Sequence, residues 1–205
     1  ILKDLDISSS SIVLLTSDSP VSDACSLLLL MGFVNEVILL PKNTEVEVNN
    51  KFTSDKKNKH IDISASLILD KIIFYKHKNL ARFNNNGLTY NPSSQISIFT
   101  SGTTGTPKKI KHIISNIIST FTDREIKYSW GLTYLPFKMA GIQVILSAVL
   151  NGDKLTISKG SSPSLMTDVF INNNVDAISA TPSMWRTILT SKKSSELKLV
   201  QCTLG

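Results

Sequence analysis

The sequence holds only two cysteines, Cys25 and Cys202, each inside an apolar segment. With no CxxC pair and no Cys/His cluster, it offers neither a zinc site nor a disulfide framework, and reduced, buried thiols in a cytoplasmic protein are expected. Aromatic residues are scarce at 7%. Basic and aromatic residues also fail to interleave, which argues against a nucleic-acid partner. The most apolar stretch, Leu27 to Leu40, is broken by Gly32, Asn35 and Glu36 and is too short to span a membrane. No basic leader with an apolar run and a small-residue cleavage site precedes it, so a soluble chain is expected. No internal repeat is visible.

What is present is ordinary for a folded protein: 205 residues, of which 41% are hydrophobic. That length buries one good core, or at most two small ones. The formal net charge is +6, with lysines gathered in Lys51–Lys59, Lys71–Lys78, Lys108–Lys111 and Lys192–Lys198. Apolar segments separate these groups, so each reads as a solvated loop or helix face rather than part of one basic stripe.

Along the chain, Ser11–Thr16 is a short β-branched run, and Ser19-Pro20 then provides an N-cap with proline at the first helical position. A helix to about Met31, a stop at Gly32 and a second run at Val37–Leu40 complete one strand-helix-strand unit. Residues 42–60 are polar and read as an insert without regular structure. Leu67–Tyr75 fits helix or strand equally, and Asn84–Gly87 signals a turn before Leu88-Thr89-Tyr90. From Gln95 the pattern predicts strand Ile96–Thr100, helix His112–Phe121, strand Leu132–Leu135, helix Met139–Leu150 and strand Lys154–Ile157. Helix Leu165–Ile171, strand Ala177–Ala180, helix Pro182–Leu189 and strand Leu199–Leu204 follow. The alternation predicts an α/β fold with a doubly wound, largely parallel sheet flanked by helices. Its expected division is an abbreviated subdomain at 1–90 and a second at 91–205. Ligands of such sheets bind beyond the carboxyl ends of the strands, here the loops after Thr100, Leu135, Ala180 and Leu204.

The first of those loops holds the densest chemistry. Ile98–Ile110 reads IFTSGTTGTPKKI, an apolar strand running into Thr100, Ser101, Gly102, Thr103, Thr104, Gly105, Thr106 and Lys108. Gly102 and Gly105 allow the backbone close to an anion, the hydroxyls donate to phosphate oxygens, and Lys108 supplies a positive charge. A Walker loop requires Ser or Thr directly after its lysine; here Lys109 follows Lys108 and Pro107 precedes it, so that motif does not apply. Read alone, GTTG is equally a flexible linker between strands.

The whole string resembles the signature loop of the adenylate-forming superfamily, which includes acyl-CoA synthetases, luciferases and the adenylation domains of peptide synthetases. The resemblance implies that Thr100, Ser101, Gly102, Thr103, Thr104, Gly105 and Lys108 embrace the β- and γ-phosphates of ATP. Lys108 is then the candidate catalytic residue and Thr104 the candidate magnesium ligand. His112 falls where members often carry a histidine, although a lone histidine there equally caps a helix or faces solvent.

Three further stretches resemble the same family. Leu135–Gly141, LPFKMAG, is similar to the turn that opens a helix lining the acyl pocket, with Lys138 where many members have histidine or an aromatic residue. Ala180–Met184 is similar to a TPxM turn at the edge of that pocket, and Leu199–Gly205 to the strand entering a Gly-Gly-Glu-like turn. The implied substrate-binding residues are Lys138, Met139, Gly141, Thr181 and Gly205. Absent from the sequence are the later family segment whose glutamate helps hold magnesium, the ribose-binding aspartate and the C-terminal domain with its catalytic lysine.

The expectation is therefore the N-terminal part of an ATP- and magnesium-dependent ligase. It would activate a carboxylic acid as an acyl-adenylate and pass it to CoA or a phosphopantetheine carrier protein, with a C-terminal domain or a partner completing the site. The alternative is a non-catalytic nucleotide- or partner-binding protein of the same fold.

Overall fold

The computed structural model describes residues 12–16, 32, 34–39, 58–62, 93–100, 108–121, 124–158 and 162–205. Packing divides the chain into two compact units, Ile1–Thr120 and Phe121–Gly205. The division expected at residues 90 and 91 falls inside the first of these, because the strand beginning at Gln95 is hydrogen-bonded to one that precedes it.

In the first unit, strands β1 (Ile12–Thr16), β2 (Glu36–Leu39), β3 (Asn58–Asp62), β4 (Gln95–Thr100) and β5 (Lys108–Ile113) form one sheet in the order β3-β1-β2-β4-β5. The first four run parallel; β5 returns antiparallel to β4. All four residues of β2 are buried, as expected of an interior parallel strand covered on both faces. Val37, Ile38, Ile96 and Ile98 supply the apolar contacts, each stabilising the fold by about 1.5–3 kcal/mol through burial.

Two expectations are corrected here. The helix anticipated over His112–Phe121 is preceded by strand as far as Ile113, and only the single turn α1 (Ile114–Ile118) is helical. In-register pairing, with Gln95 opposite Ile113 and Thr100 opposite Lys108, outweighs a sequence that alternates weakly. The insert expected to lack structure through residue 60 contains the start of β3, which joins the sheet beside β1 despite having one apolar residue, Ile61. The anticipated helix between 19 and 31, the run 67–75 and the turn at 84–90 lie outside the described residues.

The second unit alternates strictly. Strand β6 (Ser129–Leu132) leads to helix α2 (Met139–Leu150) and strand β7 (Lys154–Ile157), then helix α3 (Pro163–Asn172) and strand β8 (Ala177–Ala180). Helix α4 (Pro182–Leu189) and strand β9 (Gln201–Leu204) finish it. All four strands are parallel in the order β7-β6-β8-β9. The chain moves outward from β6 to β7, then crosses back to β8 on the far side. Right-handed crossovers in opposite directions put α2 on one face and α3 with α4 on the other. A topological switch point, where such sheets open a crevice, therefore lies between the carboxyl ends of β6 and β8.

Phe170 of α3 is fully buried with Met166, Val175, Ile178, Ala180 and Ile188. It lies so close to β6 that a β-carbon at Gly131 would stand 2.8 Å from its ring. β6 begins three residues earlier than its apolar signal suggests. Ser129 N–H donates to Asp176 Oδ1 at 2.7 Å, which fastens the strand's start. Leu135 already belongs to the turn, its carbonyl accepting from Lys138 N–H at 3.0 Å.

Candidate functional site

Thr100 ends β4 and Lys108 begins β5, directly opposite each other. The Thr100 hydroxyl makes a long 3.5 Å hydrogen bond to the Lys108 carbonyl. The glycine- and threonine-rich segment is thus the connection of a β-hairpin, not a link from strand to helix. Ser101, Gly102, Thr103, Thr104 and Gly105 lie outside the described residues; Thr100 and Lys108 are its described roots.

Behind the hairpin sits a buried carboxylate that the sequence reading did not single out. Glu36 of β2 is 3% exposed. It accepts a short hydrogen bond from the Ser97 hydroxyl of β4, and its two oxygens lie 2.6 Å from Lys109 Nζ and 3.3 Å from Lys111 Nζ of β5. Burial pushes its pKa up, but the hydrogen bonds from Lys109 and Ser97 and the charges of Lys109 and Lys111 outweigh burial and hold it below the ordinary 4.5. Successive strand residues face opposite sides of a sheet, so Lys108 points away from Glu36. Lys108 is exposed, and it is the β5 lysine that this carboxylate does not neutralise. His112 is half-buried opposite Ile96. The only signal for Glu36 in the sequence was an acidic residue at the head of an apolar strand, with nothing local to name its partners.

The remaining candidates lie at the carboxyl edge of the second unit's sheet. After β6, Leu135–Lys138 turns into α2. Gly141, in the first turn of α2, is buried and lies so close to that segment that a β-carbon there would overlap the Leu135 carbonyl oxygen. Lys138 occupies the N-cap in extended conformation without a side-chain capping bond, and its Nζ lies 5.8 Å from the centre of the Phe137 ring. No acidic residue stands in the first turn of α2. A lysine at this positive helix end is therefore unfavourable on its own. Met139 is half-buried as the first helical residue.

Thr181 follows β8 and caps α4, its hydroxyl accepting from Met184 N–H at 3.2 Å. Gly205 follows β9 and donates its N–H to the Ala180 carbonyl at 3.2 Å. The Tyr134 hydroxyl occupies the space a Gly205 β-carbon would fill, and it is buried without a hydrogen-bond partner among the described residues. Tyr134 was not anticipated, since only its place just after β6 marks it. Thr133 ties the neighbouring strand ends together, donating to the Ser179 carbonyl at 2.6 Å. Lys138, Met139, Gly141, Thr181 and Gly205 thus share one edge of the second unit, while Thr100 and Lys108 are roots of a hairpin in the first.

At the amino edge of the same sheet, Asp153 anchors a separate network. Its carboxylate is fully buried and accepts from Arg124 Nη2 at 2.7 Å, Trp130 Nε1 at 2.9 Å and Tyr128 N–H at 3.1 Å. Arg124 also stacks over the Tyr128 ring at 4.7 Å. Among the described residues, no group of three His, Cys, Asp or Glu gathers as a metal cluster, and no helix is long and apolar enough to cross a membrane.

A parallel sheet with a switch-point edge in the second unit, and a mixed sheet ending in a glycine- and threonine-rich hairpin in the first, define a layered α/β class of protein. The family model for AMP-binding enzymes matches residues 33–205, and the chain belongs to that family. No curated relative matches the sequence. Among solved structures, o-succinylbenzoate CoA synthetase (MenE) from Bacillus subtilis, in complex with the acyl-adenylate intermediate OSB-AMP, is similar at 15% identity and a TM-score of 0.66. That likeness covers 100% of this chain and 58% of the other. The same enzyme in complex with ATP and magnesium ion is similar at 14% identity and a TM-score of 0.62, over 93% of this chain and 55% of that one. The N-terminal domain of FACL13 from Mycobacterium tuberculosis is similar at 14% identity and a TM-score of 0.61, over 98% and 58%. The chain therefore spans little more than half the length of these structures, and it has the fold of the N-terminal domains of adenylate-forming enzymes.

Proposed function

We propose that the protein is an ATP-dependent acid–thiol ligase. A substrate carboxylate attacks the α-phosphate of ATP, forming an acyl-adenylate and releasing pyrophosphate; the thiol of CoA or of a carrier-protein phosphopantetheine then displaces AMP. The reading is carried by the hairpin whose roots are Thr100 and Lys108, because it frames the hydroxyl- and glycine-rich segment with an exposed cation on the face away from Glu36. Attack of one anion on another is slow unless phosphate charge is neutralised and the reactants are oriented, and donors with a lysine provide for both without a protein nucleophile.

Thr100, Ser101, Gly102, Thr103, Thr104 and Gly105 supply hydroxyl and backbone donors to the β- and γ-phosphates, and Lys108 offsets the charge developing on the departing pyrophosphate. Magnesium, when bound with the triphosphate, would neutralise further phosphate charge, and Thr104 would be the hydroxyl that holds it. On the acyl side, Lys138 at the positive end of α2 suits an anionic group of the substrate, and Met139, Gly141, Thr181 and Gly205 shape the rest of that edge. A C-terminal domain or a partner would complete the site, and the cytoplasm is the proposed compartment.

Carboxylate-dependent exchange of pyrophosphate into ATP by the full-length protein tests this reading. Lys108→Ala should lower exchange about 100- to 1000-fold, the usual effect of removing one donor to developing charge. Exchange indifferent to Lys108 would refute the assignment of the loop, and nucleotide binding without any exchange would favour a non-catalytic protein of the same fold.

A further inference from the structure

A hairpin's register is usually fixed by its turn or by an apolar face, and β5 has little of either. Its residues are Lys108, Lys109, Ile110, Lys111, His112 and Ile113, none of them fully buried, and they return from a glycine- and threonine-rich connection rather than a tight turn. β5 is also, among the described residues, the last strand of its sheet, bonded through its main chain to β4. A slip of one residue would turn Lys109 and Lys111 outward and bring Lys108 to the inner face.

Glu36 opposes that slip. It stands on β2, one strand beyond β4, and its carboxylate takes Lys109, Lys111 and the Ser97 hydroxyl together. These groups come from three strands and lie on one face of the sheet, with Ser97 directly opposite Lys111. A buried carboxylate is not a favourable way to stabilise a sheet, since apolar residues of similar volume serve as well or better. What it does confer is selectivity against a one-residue slip, which would turn both lysines away from it.

The geometry points to Glu36 as a positioning residue for the phosphate-binding loop: by pairing with Lys109 and Lys111 it fixes the β4–β5 register that keeps Lys108 on the opposite face, available to a nucleoside triphosphate. This rests on the reading of the loop as a polyphosphate site. Glu36 itself touches no substrate.

The test is Glu36→Gln in the full-length protein, compared with Ile114→Val, a core change that touches neither root. Misplacing Lys108 should raise KM for ATP about tenfold while KM for the carboxylate holds, and amides 108–113 of the nucleotide-free protein should exchange hydrogen faster. Ile114→Val should lower thermal stability without moving either KM. Lys109→Gln should repeat the effect, and the double variant should be no worse than either single one, as for two halves of one contact. Unchanged amide exchange and ATP KM in Glu36→Gln, with Lys108→Ala still inactive, would overturn the positioning role and leave the loop's function standing. Faster amide exchange with Lys108→Ala fully active would overturn both. If Glu36→Gln does not fold, Lys111→Gln, at a half-exposed position, carries the same test with a rise of about threefold in ATP KM, and an unaltered KM there overturns the proposal.

Discussion

Asp153 holds the amino edge of the second unit together, and removing its carboxylate gives a sharp measure of how much. In Asp153→Ala three donors lose their acceptor: Arg124 Nη2, Trp130 Nε1 and the Tyr128 N–H. Breaking a buried ion pair from one side costs about 3–5 kcal/mol, chiefly through the charge left behind. Arg124 is 23% exposed and can regain some water, which puts the expected loss near the lower limit, about 3 kcal/mol. Asp153→Asn keeps an acceptor for one or two of the donors and should cost about half as much. The protein has two tryptophans, Trp130 and Trp185, and both fall within Phe121–Gly205. Tryptophan fluorescence in a urea titration therefore reports this unit selectively, even if the two units unfold separately. The midpoint should fall without a change in slope. A loss below about 1 kcal/mol for Asp153→Ala would show that the pair behaves as an exposed one and would refute the reasoning.

Other substitutions probe the remaining features. Gly141→Ala should destabilise the second unit by about 1–3 kcal/mol, despite alanine's better helix propensity, because the new β-carbon meets the Leu135 carbonyl; an increase in the urea midpoint would contradict that contact. Thr181→Ala removes the cap of α4 and should cost about 1 kcal/mol, read from the same titration, with Thr181→Ser restoring most of it. Because Glu36 has a lowered pKa in the folded protein, its stabilising contribution is complete above the unfolded carboxylate value of about 4.3 and is lost as pH falls through the lower folded value. The stability gap between wild type and Glu36→Gln, followed by hydrogen exchange of the β5 amides, should therefore narrow below about pH 4.3 and stay constant above it.

Most elements of the second unit can be read from local signals. Thr181-Pro182 gives both a cap and a first-turn proline, Asn151-Gly152-Asp153 punctuates α2 and β7, and Ala177–Ala180 is a short run between polar residues. Strand β6 is harder to place, since Leu132–Leu135 is as apolar as Ser129–Leu132 and only the pairing with β7 and β8 decides between them. In the first unit, β3 and β5 are strands by virtue of neighbours far away in sequence, and a helical spacing of isoleucines beyond Ile110 masks the latter. The Glu36 cluster joins residues more than 60 positions apart, so no window of sequence contains it. Tyr134 is recognisable only once β9 brings Gly205 beside its hydroxyl. The hydroxyl- and glycine-rich segment stands out in the sequence because its residues are consecutive.

The antiparallel return of β5 also bears on how an anion would be held. A loop that opens into a helix gains the partial positive charge of the helix's first turn, whereas strands carry almost no net dipole. With a strand rather than a helix following the loop, the proposed attraction for a triphosphate would fall mainly to Lys108, a solvent-exposed point charge subject to screening by mobile ions. Nucleotide affinity should then decline markedly between low and physiological salt, and the run of hydroxyls from Thr100 to Thr106 would provide the part of the attraction that salt does not remove.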